Sequence, residues 1–280
     1  MTETDGDGPA PRRARGPARD VVPILMYHSV GDRAPGSTRA WTHSPAVLRS
    51  HLGVVTGEGY EPLTVSEYLA ARRGARPLPE RAVVVTFDDG YRDFATEALG
   101  LLAAARVPVT LYVTSAYIGG HAGWRRPDAR LPMLSARELA GLPADLVEVG
   151  AHGHTHVKLD TVPVEAARDE IRRSKATLED AMGREVLTFA YPHGCHDAAV
   201  RRLVREEGFA GACAVGHALS WSGDDDYALA RVIVAPDLRP RDLSAVLRGV
   251  ALARAGERTP LRARAWRLRS RLRARLRTRR

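Results

Sequence analysis

Cysteine is scarce in this chain of 280 residues, with only Cys195 and Cys213 present. Two cysteines cannot build a disulfide framework, so nothing points to an oxidising compartment. No Cys-x-x-Cys pair occurs, which counts against a structural zinc site. Long apolar runs are missing too: none exceeds about half a dozen residues, against the roughly 20 that a membrane-spanning helix needs. Residues 1–20 lack the apolar core of about 7–15 residues that marks a secretory signal. They are rich in Gly, Pro, Arg and acids, read as a disordered leader, and leave the expected location cytoplasmic. No internal repeat is visible.

What is present suits a packed core. Hydrophobic residues make up 44% of the chain and charged residues 27%, which excludes a disordered or fibrous protein. This length allows one barrel-like domain of roughly 200–250 residues or two ordinary domains. The formal net charge of +9 looks basic, but 11 of the 42 Lys and Arg lie between Arg258 and Arg280, where there is no acid. The other 31 face 33 acids, so the body is close to neutral. A nucleic-acid-binding fold spreads a basic stripe over the folded domain. Without one, no specific nucleic-acid partner is expected.

From residue 21 onward, short β-rich runs alternate with helical patterns. Strands are predicted at 21–26, 82–87, 108–113, 146–151, 186–191, 210–215 and 230–234. Helices are predicted from Ser44-Pro45, from a cap at Ser66, over 93–106, 135–142, 164–182 and 197–207, and from Asp242. The run Ala-Val-Val-Val-Thr-Phe at 82–87 is almost continuously apolar and β-branched, which suits a strand buried on both faces. Alternation of this kind indicates parallel strands with crossover helices. A β/α barrel accommodates these units; an open doubly wound sheet is the alternative.

Four of the predicted strands end in residues able to do chemistry. Tyr27-His28 follows the first, Asp88-Asp89-Gly90 the second, His152-Gly153-His154-Thr155-His156 another, and Tyr191-Pro192-His193-Gly194 a fourth. In β/α barrels and open α/β sheets the C-terminal edge of the strands is where sites are built. Two adjacent carboxylates at the end of a buried strand repel unless a cation or proton lies beside them. Asp88-Asp89-Gly90 reads either as a helix cap with a turn or as a metal ligand beside a general base. The strongly apolar strand before it favours the second. The three histidines within five residues are either solvated or metal-binding, and spacing alone does not say which pair would bind. Neutral imidazoles with a carboxylate suit a catalytic zinc ion that keeps an open position for water.

The segments at 22–30 (VPILMYHSV), 86–90 (TFDDG) and 189–194 (FAYPHG), with the HxxxH of His152 and His156, resemble the polysaccharide deacetylase family, the NodB-homology carbohydrate esterases. The resemblance runs in order from about residue 21 to 252. It implies a single-domain, distorted (β/α) barrel of the NodB-homology type over 21–255, flanked by the leader 1–20 and a tail 256–280. It also implies a hydrolase that removes N-acetyl groups from N-acetylamino sugars, such as N-acetylglucosamine in a glycan or glycoconjugate. The cofactor implied is one divalent metal, usually zinc. Carried over by position, Asp89, His152 and His156 would hold the metal and Asp88 would be the general base. The segment Tyr191, Pro192 and His193 would meet substrate, with a backbone N–H near His193 binding the oxyanion. The chemistry agrees, because an amide resists attack until its carbonyl is polarised and the attacking water made more acidic.

The sequence departs from the common family pattern in three places. Gly153 stands where Ser or Thr usually follows the first histidine. Ala190 replaces an arginine that orients the base, for which Arg231 is the substitute proposed. No late Leu-x-His supplies the general acid. In the branch with an early Met-Tyr-His, which resembles poly-N-acetylglucosamine deacetylases, His28 would be that acid; otherwise it is a half-buried histidine at a strand end. Trp221 is read as either a sugar-stacking wall or a core residue. In the tail, Leu261, Ala265, Leu268, Leu272 and Leu276 form a helical stripe amid arginines. Residues 258–280 thus read as a basic amphipathic helix for an anionic membrane surface, or as a solvated tail. Two rival functions are an O-deacetylase and a catalytically silent carbohydrate-binding member of the family. The intact Asp88, Asp89, His152 and His156 set argues against the silent one.

Overall fold

The computed structural model describes residues 21–125, 130–216 and 218–250. The leader and the Arg-rich tail lie outside these residues. In chain order the elements are β1 (Val21–Val22), β2 (Ile24–Tyr27), β3 (Ser29–Val30), β4 (Thr42–His43), α1 (Pro45–Gly57), β5 (Glu61–Leu63), α2 (Val65–Arg72) and β6 (Ala82–Phe87). A π-helical turn, Phe94–Ala98, then runs into α3 (Leu99–Ala105), followed by β7 (Val109–Val113), α4 (Ala136–Ala140), β8 (Val147–Ala151) and α5 (Val164–Met182). The rest comprises β9 (Thr188–Ala190), α6 (Ala198–Glu206), β10 (Gly211–Cys213), β11 (Ser220–Trp221), β12 (Val232–Ile233) and α7 (Pro240–Leu247).

The main sheet runs β10-β9-β8-β7-β6-β2-β12, and every pair in it is parallel. β5 pairs with the first half of β6 on the edge that β7 takes over further along. A parallel bridge between Cys213 and Leu229 ties β10 to the segment leading into β12. The sheet therefore curls almost onto itself as a distorted barrel rather than lying open as a doubly wound sheet.

Strand alternation divides the core. Ile24, Val84, Tyr112, Ala190 and Cys213 face the barrel interior with Leu229, and α2 caps its N-terminal end through Val65, Tyr68 and Leu69. The opposite faces, including Leu25, Tyr27, Val83, Val85, Phe87, Leu111 and Val149, are covered by the helices. Burial on both faces explains why β6 has no exposed residue.

Several helix ends follow from local chemistry. Ser44 caps α1, accepting the Val47 N–H, with Pro45 in the first turn. α2 opens two residues earlier than expected, because Thr64 rather than Ser66 is the cap and forms a reciprocal capping box with Glu67. α7 opens at Pro240, not at Asp242, since the proline's fixed φ favours the first helical position. β9 is shorter than the expected 186–191, and β5 was not anticipated. Among the described residues no helix is long and apolar enough to cross a membrane.

Candidate active site

Because the main strands are parallel, their C-terminal ends share one edge, and the loops there enclose a cleft of about 460 Å³. His28, Asp88, Asp89, His152, His156 and His193 all line it, together with Trp41, Trp124 and Arg125.

At the end of β6 the backbone separates the two acids. Asp89 has φ 79° and Gly90 has φ 84°, both left-handed. A Cβ at Gly90 would sit 2.8 Å from Val113 Cγ1, so this turn needs glycine. Among the described residues only Asp89, Arg106, His156 and His193 combine a side chain with positive φ. Three of those four line the cleft, and strain of this kind concentrates at functional sites.

Asp88 turns toward Arg231. The guanidinium donates from Nη1 to Oδ1 at 2.6 Å and from Nη2 to Oδ2 at 2.7 Å, a bidentate pair with both side chains buried. Arg231 is itself held, donating to Thr86 Oγ1 at 3.1 Å and to the Ala214 carbonyl at 3.1 Å. Burial alone would push the Asp88 carboxyl up; the Arg231 charge outweighs it and keeps Asp88 below the usual carboxylate range.

Asp89 turns toward the histidines. Its Oδ1 lies 3.2 Å from His156 Nε2 and 3.6 Å from His152 Nε2. Burial again opposes ionisation, but the hydrogen bond and charge at His156 hold the carboxyl well below its ordinary value. His152 Nδ1 lies 2.8 Å from the Ala190 carbonyl, which can only accept, so the proton sits on Nδ1 and the Nε2 lone pair faces the acids. Burial lowers the His152 pKa to about 4, which keeps the ring neutral.

One ligand atom each from Asp89, His152 and His156 lies within 4.8 Å of the other two. Two imidazoles and a carboxylate, buried and converging, fit zinc or a similar divalent ion with a position left open. The second-residue support is in place as well, since the Ala190 carbonyl fixes the His152 tautomer.

The remaining expected residues divide. His28 lines the cleft, half-buried, its ring 4.9 Å from that of Trp41. Burial lowers its pKa, against the opposing pull of Asp89 and Asp88. His193 lines the cleft with its ring 4.6 Å from His156. Tyr191 turns away: its hydroxyl donates to the Tyr227 carbonyl at 2.8 Å and its N–H to the Cys213 carbonyl at 3.1 Å. Pro192 is buried and packs beside Gly153. Trp221 is not in the cleft but on β11, paired with β1. Cys195 is buried.

Three neighbours of the site carry no cue in the sequence. Trp124 stacks on His156 at 4.5 Å and 17°. Arg125 Nη2 lies 3.6 Å from Asp89 Oδ2 while its Nε donates to Tyr91 Oη at 3.2 Å. Trp41 covers His28. The two tryptophans, rather than Trp221, supply the aromatic walls; Trp41 ends a short 3-10 helix (Gly36–Trp41) and Trp124 lies in a turn, so neither sits in a run long enough for a period to mark its facing side. The hydroxyl missing at Gly153 is replaced by other braces: Ser115 Oγ lies 2.8 Å from His154 Nδ1, and Glu170 binds the loop backbone.

Known proteins resemble this chain in sequence and in fold. The family model "Polysaccharide deacetylase" matches residues 75–212, which include Asp88, Asp89, His152, His156 and His193. The chain is 37% identical over 84 residues to the poly-beta-1,6-N-acetyl-D-glucosamine N-deacetylase of Escherichia coli K12, covering 30% of this chain and 12% of that protein's length. In fold it is similar to the Streptococcus pyogenes deacetylase PplD, solved with acetate (TM-score 0.71, 20% identity, 80% of this chain and 96% of that one). It is also similar to IcaB from Ammonifex degensii (TM-score 0.70, 23% identity, 82% of this chain and 97% of that one).

Proposed function

The chain belongs to the polysaccharide deacetylase family, and from that premise we propose that it is a metal-dependent hydrolase removing N-acetyl groups from an N-acetylglucosamine-containing glycan or glycoconjugate. The observation that carries the reading is the sorting of two adjacent carboxylates at one cleft. Asp88 is clamped by Arg231, and Asp89 is grouped with His152 and His156. The name of the E. coli relative supports the sugar. The walls formed by Trp41 and Trp124 support it independently, since aromatic faces suit the apolar side of a pyranose.

Zinc or a similar ion, held by Asp89, His152 and His156, would polarise the acetyl carbonyl and make water a stronger acid. The chain's own groups do the rest. Asp88, anionic and fixed by Arg231, accepts the proton of the attacking water. The His193 N–H is the oxyanion donor in this reading: Tyr191's N–H is committed to Cys213 and Pro192 has none. His28, held against Trp41, delivers a proton to the leaving amine. Met26, Val215 and Ile233 complete the cleft with apolar surface that limits water. The basic segment 258–280 is assigned here to contact with an anionic membrane surface.

Acetate release from N-acetylglucosamine oligomers tests the roles. Asp88→Asn and His28→Ala should each lower turnover by roughly 10²–10⁴-fold. Full turnover by His28→Ala would remove that histidine from the mechanism, and full turnover by Asp88→Asn would do the same for the base.

A further inference from the structure

The loop that carries His152 and His156 is held from outside the cleft. Between the two histidines the backbone takes φ 72° at Gly153, and it reaches φ 65° at His156. A five-residue loop with two left-handed residues does not keep that shape without external ties. Its carbonyls are tied on one side: Ser115 N–H donates to Gly153 O at 3.3 Å and Ala116 N–H to His154 O at 2.9 Å. Its donors are tied on the other side by one carboxylate. Glu170 Oε2 accepts the N–H of His154 at 2.9 Å and of Thr155 at 2.7 Å, and Oε1 accepts the Thr155 hydroxyl at 2.5 Å.

We propose that Glu170 is the positioning residue of the metal site, setting the spacing of His152 and His156 by binding the two N–H groups between them. Successive N–H groups converging on an anion form a nest, and hydrogen bonds to an ionised acceptor are about twice as strong as neutral ones. Glu170 projects from α5, whose neighbouring residues Ala167 and Ile171 are buried in the core. The carboxylate is thus carried by a rigid support. It is no ligand and does not line the cleft.

The inference rests on Asp89, His152 and His156 binding a metal, so the test reads metal affinity directly on the full chain. Zinc is titrated in competition with a chromophoric chelator, and the visible spectrum of the cobalt form is recorded. Glu170→Ala should weaken zinc binding by roughly 10–100-fold, the usual cost of losing an outer-shell support, and should alter the cobalt spectrum. Glu170→Gln should recover most of the affinity, because its carbonyl accepts the two N–H groups and its amide donates to the Thr155 hydroxyl. Glu170→Asp, which keeps the charge but falls one methylene short, should also bind more weakly. It serves as the variant to read if Glu170→Ala does not fold. Wild-type affinity with an unchanged spectrum in Glu170→Ala, or in Glu170→Asp where that is the folded variant, would overturn the proposal. A wild-type chain that binds no zinc, or an Asp89→Ala chain that binds as tightly, would instead overturn the metal-site reading beneath it.

Discussion

Asp88 and Asp89 are neighbours with opposite surroundings. Two buried carboxylates one residue apart would normally share a proton, one of them titrating high. The left-handed turn at Asp89 prevents this by aiming the side chains apart, so each meets its own cationic or proton-donating partner. Asp88 receives a full guanidinium; Asp89 receives two imidazoles on Oδ1 and Arg125 at 3.6 Å on Oδ2. The first arrangement fixes both Asp88 oxygens while leaving each a further lone pair, and the second turns the Asp89 oxygens toward the two imidazoles and Arg125. The pair Asp88–Arg231 can therefore be tested for stability separately from chemistry. Arg231→Met should lower unfolding free energy by about 3–5 kcal/mol, because it leaves a buried charge unpaired. Adding Asp88→Asn to Arg231→Met should restore part of that loss in denaturant melts. Equal stability of Arg231→Met and the parent would mean that the Asp88 carboxylate is solvated.

At the scale of elements, the site depends on turns that hold strand ends at one level. Gly194 closes the Pro192–Gly194 turn after β9 with φ 67°, and a Cβ there would lie 2.5 Å from Val215 Cβ. Gly194→Ala should lower stability by more than about 1 kcal/mol and displace His193, reducing turnover in the acetate assay. Val215→Ala in the same chain should recover little of the loss, since alanine keeps the Cβ and backbone N that clash and leaves the φ strain. Unchanged activity in Gly194→Ala would separate this turn from the chemistry. The parts that were legible in the sequence have local causes. β6 is a run with no polar face, α5 matches its expected bounds of 164–182, and the acids and histidines follow directly on their strands. Arg231 was legible only through the resemblance, since it meets Asp88 where the barrel closes from β10 through Leu229 to β12. What was illegible has non-local causes. Trp124 and Arg125 sit in a long irregular stretch, held over the site by bridges such as Tyr91 with Met133. Glu170 lies on a helix face crowded with charged residues, where sequence cannot tell a brace from a solvated side chain.

The whole molecule carries a second group of histidines behind the site. His43 is 1% exposed, packed edge-on to Tyr27 at 4.9 Å, while Tyr27 Oη and the Leu238 carbonyl hold the two nitrogens of His51. Burial, with His51 and His28 nearby, lowers the His43 pKa from 6.5 to about 4. The unfolded chain takes up this proton near pH 6.5 and the folded chain only near pH 4, so stability is greatest above pH 6.5 and declines as pH falls between the two. His51, lowered by burial, adds in the same direction. The His43 share amounts to roughly 3 kcal/mol across that window. His43→Phe, which keeps a ring against Tyr27, should flatten the pH dependence of urea midpoints between pH 6.5 and 4; an unchanged slope would place the acid sensitivity elsewhere.

The most direct measurement of the central claim is acetate release from N-acetylglucosamine oligomers by the full chain. The parent, chelator-treated protein, the same protein with zinc restored, and Asp89→Ala are compared side by side. The expected result is release by the parent, its loss on chelation, its return with zinc, and none from Asp89→Ala at any zinc concentration. Release that survives chelation and the loss of Asp89 would contradict the assignment of Asp89, His152 and His156 as the metal site of a deacetylase.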